Sequence, residues 1–312
     1  MKLAIRNFVS RTPAVALPLL WLYSAMRGVV LRRVQGNPPK LSLRKDTSEI
    51  LLRVSHFAYV VDVVENYDYY FKAVLPSYRV NGVDTVDYST TRDHVLAGSG
   101  LQMQFTALAE PDATTDIYLQ CSRLTTGATV WDLGTYCGAS TILFSRVVGP
   151  TGMVYGFEPD VDNFNASTLN LSRHRCTNAK VFNAAVWSRA TELCFEAEGS
   201  MGSAAHEAGV HQRRSATRRV RAVPLDEIAS LVQSETVDVV KMDIEGAELC
   251  CLESAGAVFW DLRPQIVVEP HVINGCVNTE AIIAVLQRRG YTAVVTPQAG
   301  LHLPLILATP LP

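Results

Sequence analysis

Apolar and polar positions along this chain fall into two regimes. From Thr129 onward, short runs of β-formers alternate with stretches whose apolar residues recur at helical spacing. The strands predicted are Val130–Leu133, Met153–Phe157, Lys180–Phe182, Val237–Met242, Gln265–Glu269 and Tyr291–Thr296. Helices are predicted between several of them, at Ala139–Val148, Val161–Arg173, Ala247–Ala255 and Thr279–Arg289. Such alternation predicts an α/β fold, a mostly parallel, twisted sheet covered by helices on both faces. Two further strand-like runs, Thr191–Glu198 and Arg218–Leu225, interrupt the rhythm, and His302–Ala308 closes it.

Before Thr129 the pattern is less regular. Ala14–Met26 is almost wholly apolar, with Lys2, Arg6 and Arg11 before it and Arg27, Arg32 and Arg33 after. At about 1.5 Å rise per residue it is too short for the hydrocarbon core of a bilayer. A helix lying on a membrane surface or packed on the protein is favoured over a membrane anchor or a cleaved signal. Residues 34–48 read as a polar, proline-containing linker. From Glu49 to Tyr78, Tyr59, Val60, Val63, Val64, Tyr67, Tyr70, Phe71 and Val74 keep helical spacing. A short strand is expected at Tyr78–Val83 and a helix at Thr114–Leu124. The division expected is an apolar N-terminal segment with linker (1–48), a mainly helical region (49–128) and an α/β domain (129–312).

Composition narrows the class. Of 312 residues, 48% are hydrophobic and 19% charged, so the chain can bury a large core. A net charge of -2 argues against a chain built to coat nucleic acid. Seven cysteines without a C-x-x-C pair read as free thiols of a reducing compartment. A cytoplasmic location, with membrane association through the N-terminus, is the corresponding expectation. The run His211–Arg221 carries five arginines, and the alternation over Arg219–Val223 predicts an edge strand with one charged face; Gly199–His206 is expected as a flexible loop able to cover the site.

Three segments carry the candidate chemistry. In Thr129–Thr141, a strand ends at Leu133 and a G-x-x-x-G turn, Gly134 to Gly138, leads into a helix. Glycines there permit unusual backbone angles and close approach of a ligand. The spacing is not the G-x-G-x-x-G of dinucleotide sites and suits a ligand without a pyrophosphate. Val154–Asp160 places Glu158 at the end of the next strand, where an acid accepts hydrogen bonds from ribose hydroxyls; Asp160 suits a helix cap. In VKMDIEGAE, Val240–Glu248, an apolar strand ends in Asp243, with Glu245 and Glu248 close behind. Acids clustered at a strand end point to a site, although a solvated first helical turn also accounts for Glu245 and Glu248.

The segments VWDLGTYCGAS, VYGFEPD, NAAVW, VKMDIEGAE and VVEPH, in this order, resemble the FkbM family of S-adenosylmethionine-dependent methyltransferases. The resemblance covers about residues 115–296. It implies a Rossmann-like class I methyltransferase fold, with the region before it as a helical extension, and methyl transfer to a hydroxyl oxygen of a sugar, glycan or small natural product. Asp132, Gly134, Tyr136 and Gly138 would then border the cofactor, Glu158 the ribose, and Ala184 or Ala185 the adenine. Asp243, with His271 and Glu245, is the candidate catalytic set. A divalent cation is a further expectation, with Asp243, Glu269 and His271 as candidate ligands. Many members carry Asn where this chain has Tyr136, which motivates the competing reading, an inactive cofactor-binding or membrane-attached scaffold.

Overall fold

The computed structural model describes residues 13–196, 205–207, 217–273, 276–298 and 303–312. The chain divides into two compact units, Met1–Asp112 and Ala113–Pro312.

The first unit is mixed rather than mainly helical. Helix α1 (Pro13–Met26) precedes strands β1 (Val30–Val34), β2 (Lys40–Lys45) and β3 (Ser48–Arg53). A six-residue 3-10 segment kinked at His56 (Val54–Tyr59) and two short helices, α2 (Val60–Glu65) and α3 (Tyr67–Lys72), follow. Then come β4 (Tyr78–Val80), β5 (Val83–Tyr88), β6 (Arg92–Val95) and β7 (Gln102–Phe105). Five strands form one sheet in the order β1-β2-β3-β5-β4. The stretch read as a linker, 34–48, therefore supplies β2, and the start of the expected helix is β3. Leu41–Leu43 and Ile50–Leu52 are each buried without a break. A short continuous buried run carries no period to tell strand from helix, and each strand is only six residues long. Among the described residues no helix is long and apolar enough to cross a membrane.

The second unit contains α4 (Asp112–Cys121) apart from its first residue, then a seven-stranded sheet. Its elements begin β8 (Thr129–Leu133), α5 (Ala139–Val148), β9 (Met153–Phe157), α6 (Val161–Arg173) and β10 (Ala179–Phe182). A four-stranded side sheet is built from β11 (Ala185–Val186), β12 (Thr191–Glu196), β13 (Ala205–Glu207) and β14 (Thr217–Val223). Beyond it come α7 (Leu225–Val232), β15 (Val239–Met242), α8 (Glu248–Ser254), α9 (Ala257–Asp261) and β16 (Gln265–Val268). The chain ends with the two-residue strands β17 (Val272–Ile273) and β18 (Cys276–Val277), then α10 (Thr279–Arg288), β19 (Tyr291–Thr296) and β20 (Leu305–Pro310).

The main sheet runs β10-β9-β8-β15-β16-β20-β19, parallel except that β20 is antiparallel to both its neighbours. This is the doubly wound class I methyltransferase fold anticipated from the sequence. Both faces are covered, as continuous apolar strands require. Trp131, Leu133, Val240 and Met242 belong to one core cluster, and Val130 and Val239, with Phe144 and Val148, to the other. Strand β14 was expected at an edge, but it lies between β11 and β12. Its arginines, Arg218, Arg219 and Arg221, are exposed, while Val220 and Ala222 are buried. Residues 197–204 and 208–216, which hold most of the expected loop and the start of the basic run, lie outside the described residues. Cys121, Cys137, Cys176, Cys250 and Cys251 are free thiols.

Candidate functional site

Strand order reverses between β8 and β15, the point where open α/β sheets receive ligands beyond their carboxyl ends. The glycine turn leaves β8 there, Asp243 leaves β15, and Glu158 and Glu269 leave the flanking strands β9 and β16.

The turn after β8 is held largely by the protein itself. The N–H groups of Gly134 and Thr135 donate to the Phe157 carbonyl, and that of Gly138 to the Thr135 carbonyl. The Tyr136 N–H donates to Glu158 Oε2 at 2.9 Å. The turn is therefore not a phosphate cradle, which agrees with the missing dinucleotide spacing. Gly134 has φ +81°, and a Cβ on it would stand 1.7 Å from the Asp243 carbonyl oxygen. Only glycine lets the two strand ends approach this closely. Tyr136 has φ 49°, a left-handed conformation that Asn tolerates better than other side chains.

Asp132 is fully buried. Its Oδ2 accepts from the hydroxyls of Ser140 (2.7 Å) and Thr141 (2.6 Å) in the first turn of α5. Its Oδ1 lies 3.4 Å from Lys241 Nζ. The two-residue strand period puts Asp132 and Lys241 on the same face, and the register of β8 with β15 sets them opposite one another. Lys241 is 2% exposed, donates to the Gly134 carbonyl (2.5 Å), lies 3.4 Å from Asp243 Oδ2 and packs over the Tyr118 ring. Burial alone would lower its pKa, but the charges of Asp243, then Asp132 and Glu269, hold it above the ordinary value. Lys241 thus ties the glycine turn to the acid cluster.

Glu158 is 6% exposed. Its Oε1 accepts from the Asp160 N–H (2.9 Å) and from Asn163 Nδ2 (3.4 Å). Burial pushes its carboxyl up to about 8, against the pull of these hydrogen bonds. Asp160 caps α6 through the N–H groups of Asp162 and Asn163, as its position in the sequence suggested. Ala184 and Ala185 are buried, while their neighbour Asn183 is exposed and holds the Glu158 and Pro159 carbonyls through Nδ2.

The acids of VKMDIEGAE separate by environment. Asp243 is partly exposed, and His271 Nε2 lies 3.6 Å from its Oδ1. Glu245 sits at φ 52°, and its Oε2 is also 3.6 Å from His271 Nε2. Glu248 is 2% exposed; its Oε1 accepts from the N–H groups of Ile244 (3.0 Å) and Gly246 (3.2 Å) and stands 2.9 Å from His271 Nδ1. It is no solvated helix turn, but the clamp of this loop and the anchor of His271. Burial works against the imidazolium, yet the charge of Glu245, the hydrogen bond and charge of Glu248, and the charge of Asp243 push His271 well above its ordinary pKa. The three carboxylates thus favour the protonated form of His271, the residue expected as a base.

Glu269 faces the other way. Its Oε2 accepts from the Tyr118 hydroxyl at 2.6 Å, and burial, then the Asp243 charge, raise its pKa. Among the described residues, the group able to offer ligand atoms within 4.8 Å of one another is Asp243, Glu245 and His271, without Glu269. Tyr118, on α4, also reaches Asp243 Oδ2 at 3.5 Å. Nothing in the local sequence marks Tyr118 as special; it lies 125 positions from Asp243.

The Methyltransferase FkbM domain family matches residues 132–293. No curated protein matches the chain. Among solved structures, a precorrin-6y C5,15-methyltransferase from Geobacter metallireducens GS-15 is 14% identical, covering 64% of this chain and 89% of that one, with a TM-score of 0.41. A methyltransferase FkbM from Methylobacillus flagellatus KT is 16% identical, covering 62% of this chain and 50% of that one, with a TM-score of 0.44. At such scores the two resemblances add nothing to the family match. That match runs from Asp132 in β8 to Ala293 in β19 and spans more than half of the 312 residues, so the chain belongs to the FkbM methyltransferase family.

Proposed function

We propose that this protein transfers a methyl group from S-adenosylmethionine to a hydroxyl oxygen of a sugar, glycan or small natural product. The observation that carries the reading is the convergence of the Gly134–Gly138 turn, Glu158 and Asp243 at the carboxyl ends of three adjacent strands. The residues fit such a cofactor. Glu158 Oε2 accepts one protein N–H and keeps lone-pair capacity for a ribose hydroxyl. The turn offers no diphosphate cradle, and acids outnumber cations around Asp243, which suits a sulfonium. When bound, the cofactor supplies an electrophilic methyl for in-line displacement.

The chain's own groups do the rest. Asp243, half-buried at the strand end, receives the acceptor hydroxyl and takes its proton. Lys241 holds one of its oxygens and the His271 imidazolium faces the other, so the carboxylate is fixed in direction. His271 is assigned to positioning, because Glu245 and Glu248 raise its pKa and favour the protonated form. Glu245 helps hold the acceptor. A divalent cation is the alternative occupant: it would displace the Nε2 proton, be held by Asp243, Glu245 and neutral His271, and polarise the acceptor oxygen in place of the imidazolium. The Nδ1 contact to Glu248 already aims Nε2 at the two carboxylates, an arrangement common around metal-bound histidine. A chelator tests that part, since activity unchanged after metal stripping removes the cation.

Titration calorimetry with S-adenosylhomocysteine tests the cofactor. Binding is expected in the wild type and strongly weakened in Glu158→Ala; absence of heat from both sinks the reading. Mass spectrometry of candidate glycans and natural products then looks for a methyl gain. Gain that vanishes in Asp243→Asn supports catalysis, whereas binding without turnover on any acceptor favours the scaffold.

A further inference from the structure

The charge of this chain is unevenly placed. Residues 1–45 contain nine Lys and Arg and no Asp or Glu, leaving 19 basic against 30 acidic residues in the other 267. Within that basic stretch, α1 is apolar on two sides. Leu20 and Ser24, one turn apart, are fully buried, and Tyr23 and Arg27 both reach Glu65 of α2. The opposite face is open. Leu19, Leu22 and Met26 share a stripe at helical spacing and are 54%, 53% and 78% exposed, with Trp21 beside them at 57%. A helix covered by protein on one face has no reason of stability to keep four large apolar side chains in water on the other. Immediately after the helix, Arg27, Arg32 and Arg33 are exposed, with Val30 and Val34 among them.

We propose that the outer face of α1, with the arginines that follow it, docks on the surface of an anionic lipid bilayer. Leu19, Trp21, Leu22 and Met26 enter the headgroup boundary, where the indole suits the interface. Arg27, Arg32 and Arg33 meet the lipid phosphates. Over the described residues the helix is 14 residues long with Pro18 inside it, shorter than a bilayer core requires and suited to lie flat. The charge selects this occupant: a second copy of the chain would bring the same basic stretch against itself.

The test mixes the purified full chain with preformed vesicles of phosphatidylcholine, alone or with phosphatidylglycerol. Co-sedimentation and tryptophan emission are followed. Of the four tryptophans, Trp131 and Trp260 are buried, so a blue shift on binding reports on Trp21 above all. Binding is expected with the anionic vesicles only, and is reversed by added salt. Arg32→Gln/Arg33→Gln lowers the partition coefficient by roughly 30-fold, and Trp21→Ser/Leu22→Ser abolishes both binding and the blue shift. All four side chains are exposed, so unfolding is not expected, and circular dichroism checks it. Absence of binding to anionic vesicles, or equal binding to both, overturns the proposal. So does a self-association that Trp21→Ser/Leu22→Ser disperses while vesicles capture nothing; that result makes the face an interface between copies.

Discussion

Replacing Lys241 with methionine tests the tie between the glycine turn and the acid cluster. The two side chains are similar in length, so packing is roughly conserved while the ammonium is lost. Three things follow. The Gly134 carbonyl loses its donor, Asp243 loses a partner, and Asp132, fully buried, keeps a charge with nothing opposite its Oδ1. Asp243 is 28% exposed, and water compensates much of its share. Asp132 has no such relief, and breaking a buried pair from one side costs about 3–5 kcal/mol. For a unit of 200 residues, Ala113–Pro312, that corresponds to a fall of roughly 6–20 °C in Tm. Urea unfolding of the full chain, followed by tryptophan emission, gives the free energy directly. The double variant Lys241→Met/Asp132→Asn removes the orphaned charge as well, so it is expected to recover on the order of 2 kcal/mol relative to Lys241→Met alone. A single-variant loss below about 1 kcal/mol, or a double variant that is simply additive, refutes the view that this ion pair holds the site together.

Other outcomes follow from the same geometry. Gly134→Ala forces a Cβ into the Asp243 carbonyl at a positive φ, so it is expected to destabilise by roughly 2–5 kcal/mol and to weaken S-adenosylhomocysteine binding in calorimetry. Glu248→Gln removes the anchoring charge on His271 Nδ1, and NMR titration should show the imidazole pKa falling towards 6.5; no fall means that Glu248 does not hold the cation. Stability should decline as pH rises from neutrality. His271, raised above 6.5 on folding, contributes fully below 6.5 and loses its contribution as pH rises through its folded value. Glu158 acts in the same direction, because between 4.5 and about 8 the folded chain holds a proton that the unfolded chain does not. Thermal scans across that range check the slope, and a Tm that climbs from pH 7 to pH 9 contradicts both assignments.

The main α/β unit was legible in the sequence because its strands are buried on both faces and its helices are amphipathic, so each element carries its own period. The G-x-x-x-G turn, the acid ending β9 and the acid ending β15 were legible for a related reason: they stand where strands stop. Strands β2 and β3 were not, since each is six residues long with three consecutive buried positions and carries no period of two to set it apart from a linker or a helix.

What the sequence determined by itself is which side chains end which strands, and through them the family and the place of the site. Tertiary structure alone decided what those side chains are. Register across β8 and β15 turned Asp132 and Lys241 into a buried pair. The return of the chain after β16 brought His271 onto Glu248, 23 residues away, where the neighbouring carboxylates favour its protonated form. Helix α4 delivered Tyr118 to Glu269 from 151 positions away. The physical reason is that the charge state of a group depends on the sum of its neighbours and its desolvation, and both are properties of packing that no local pattern records.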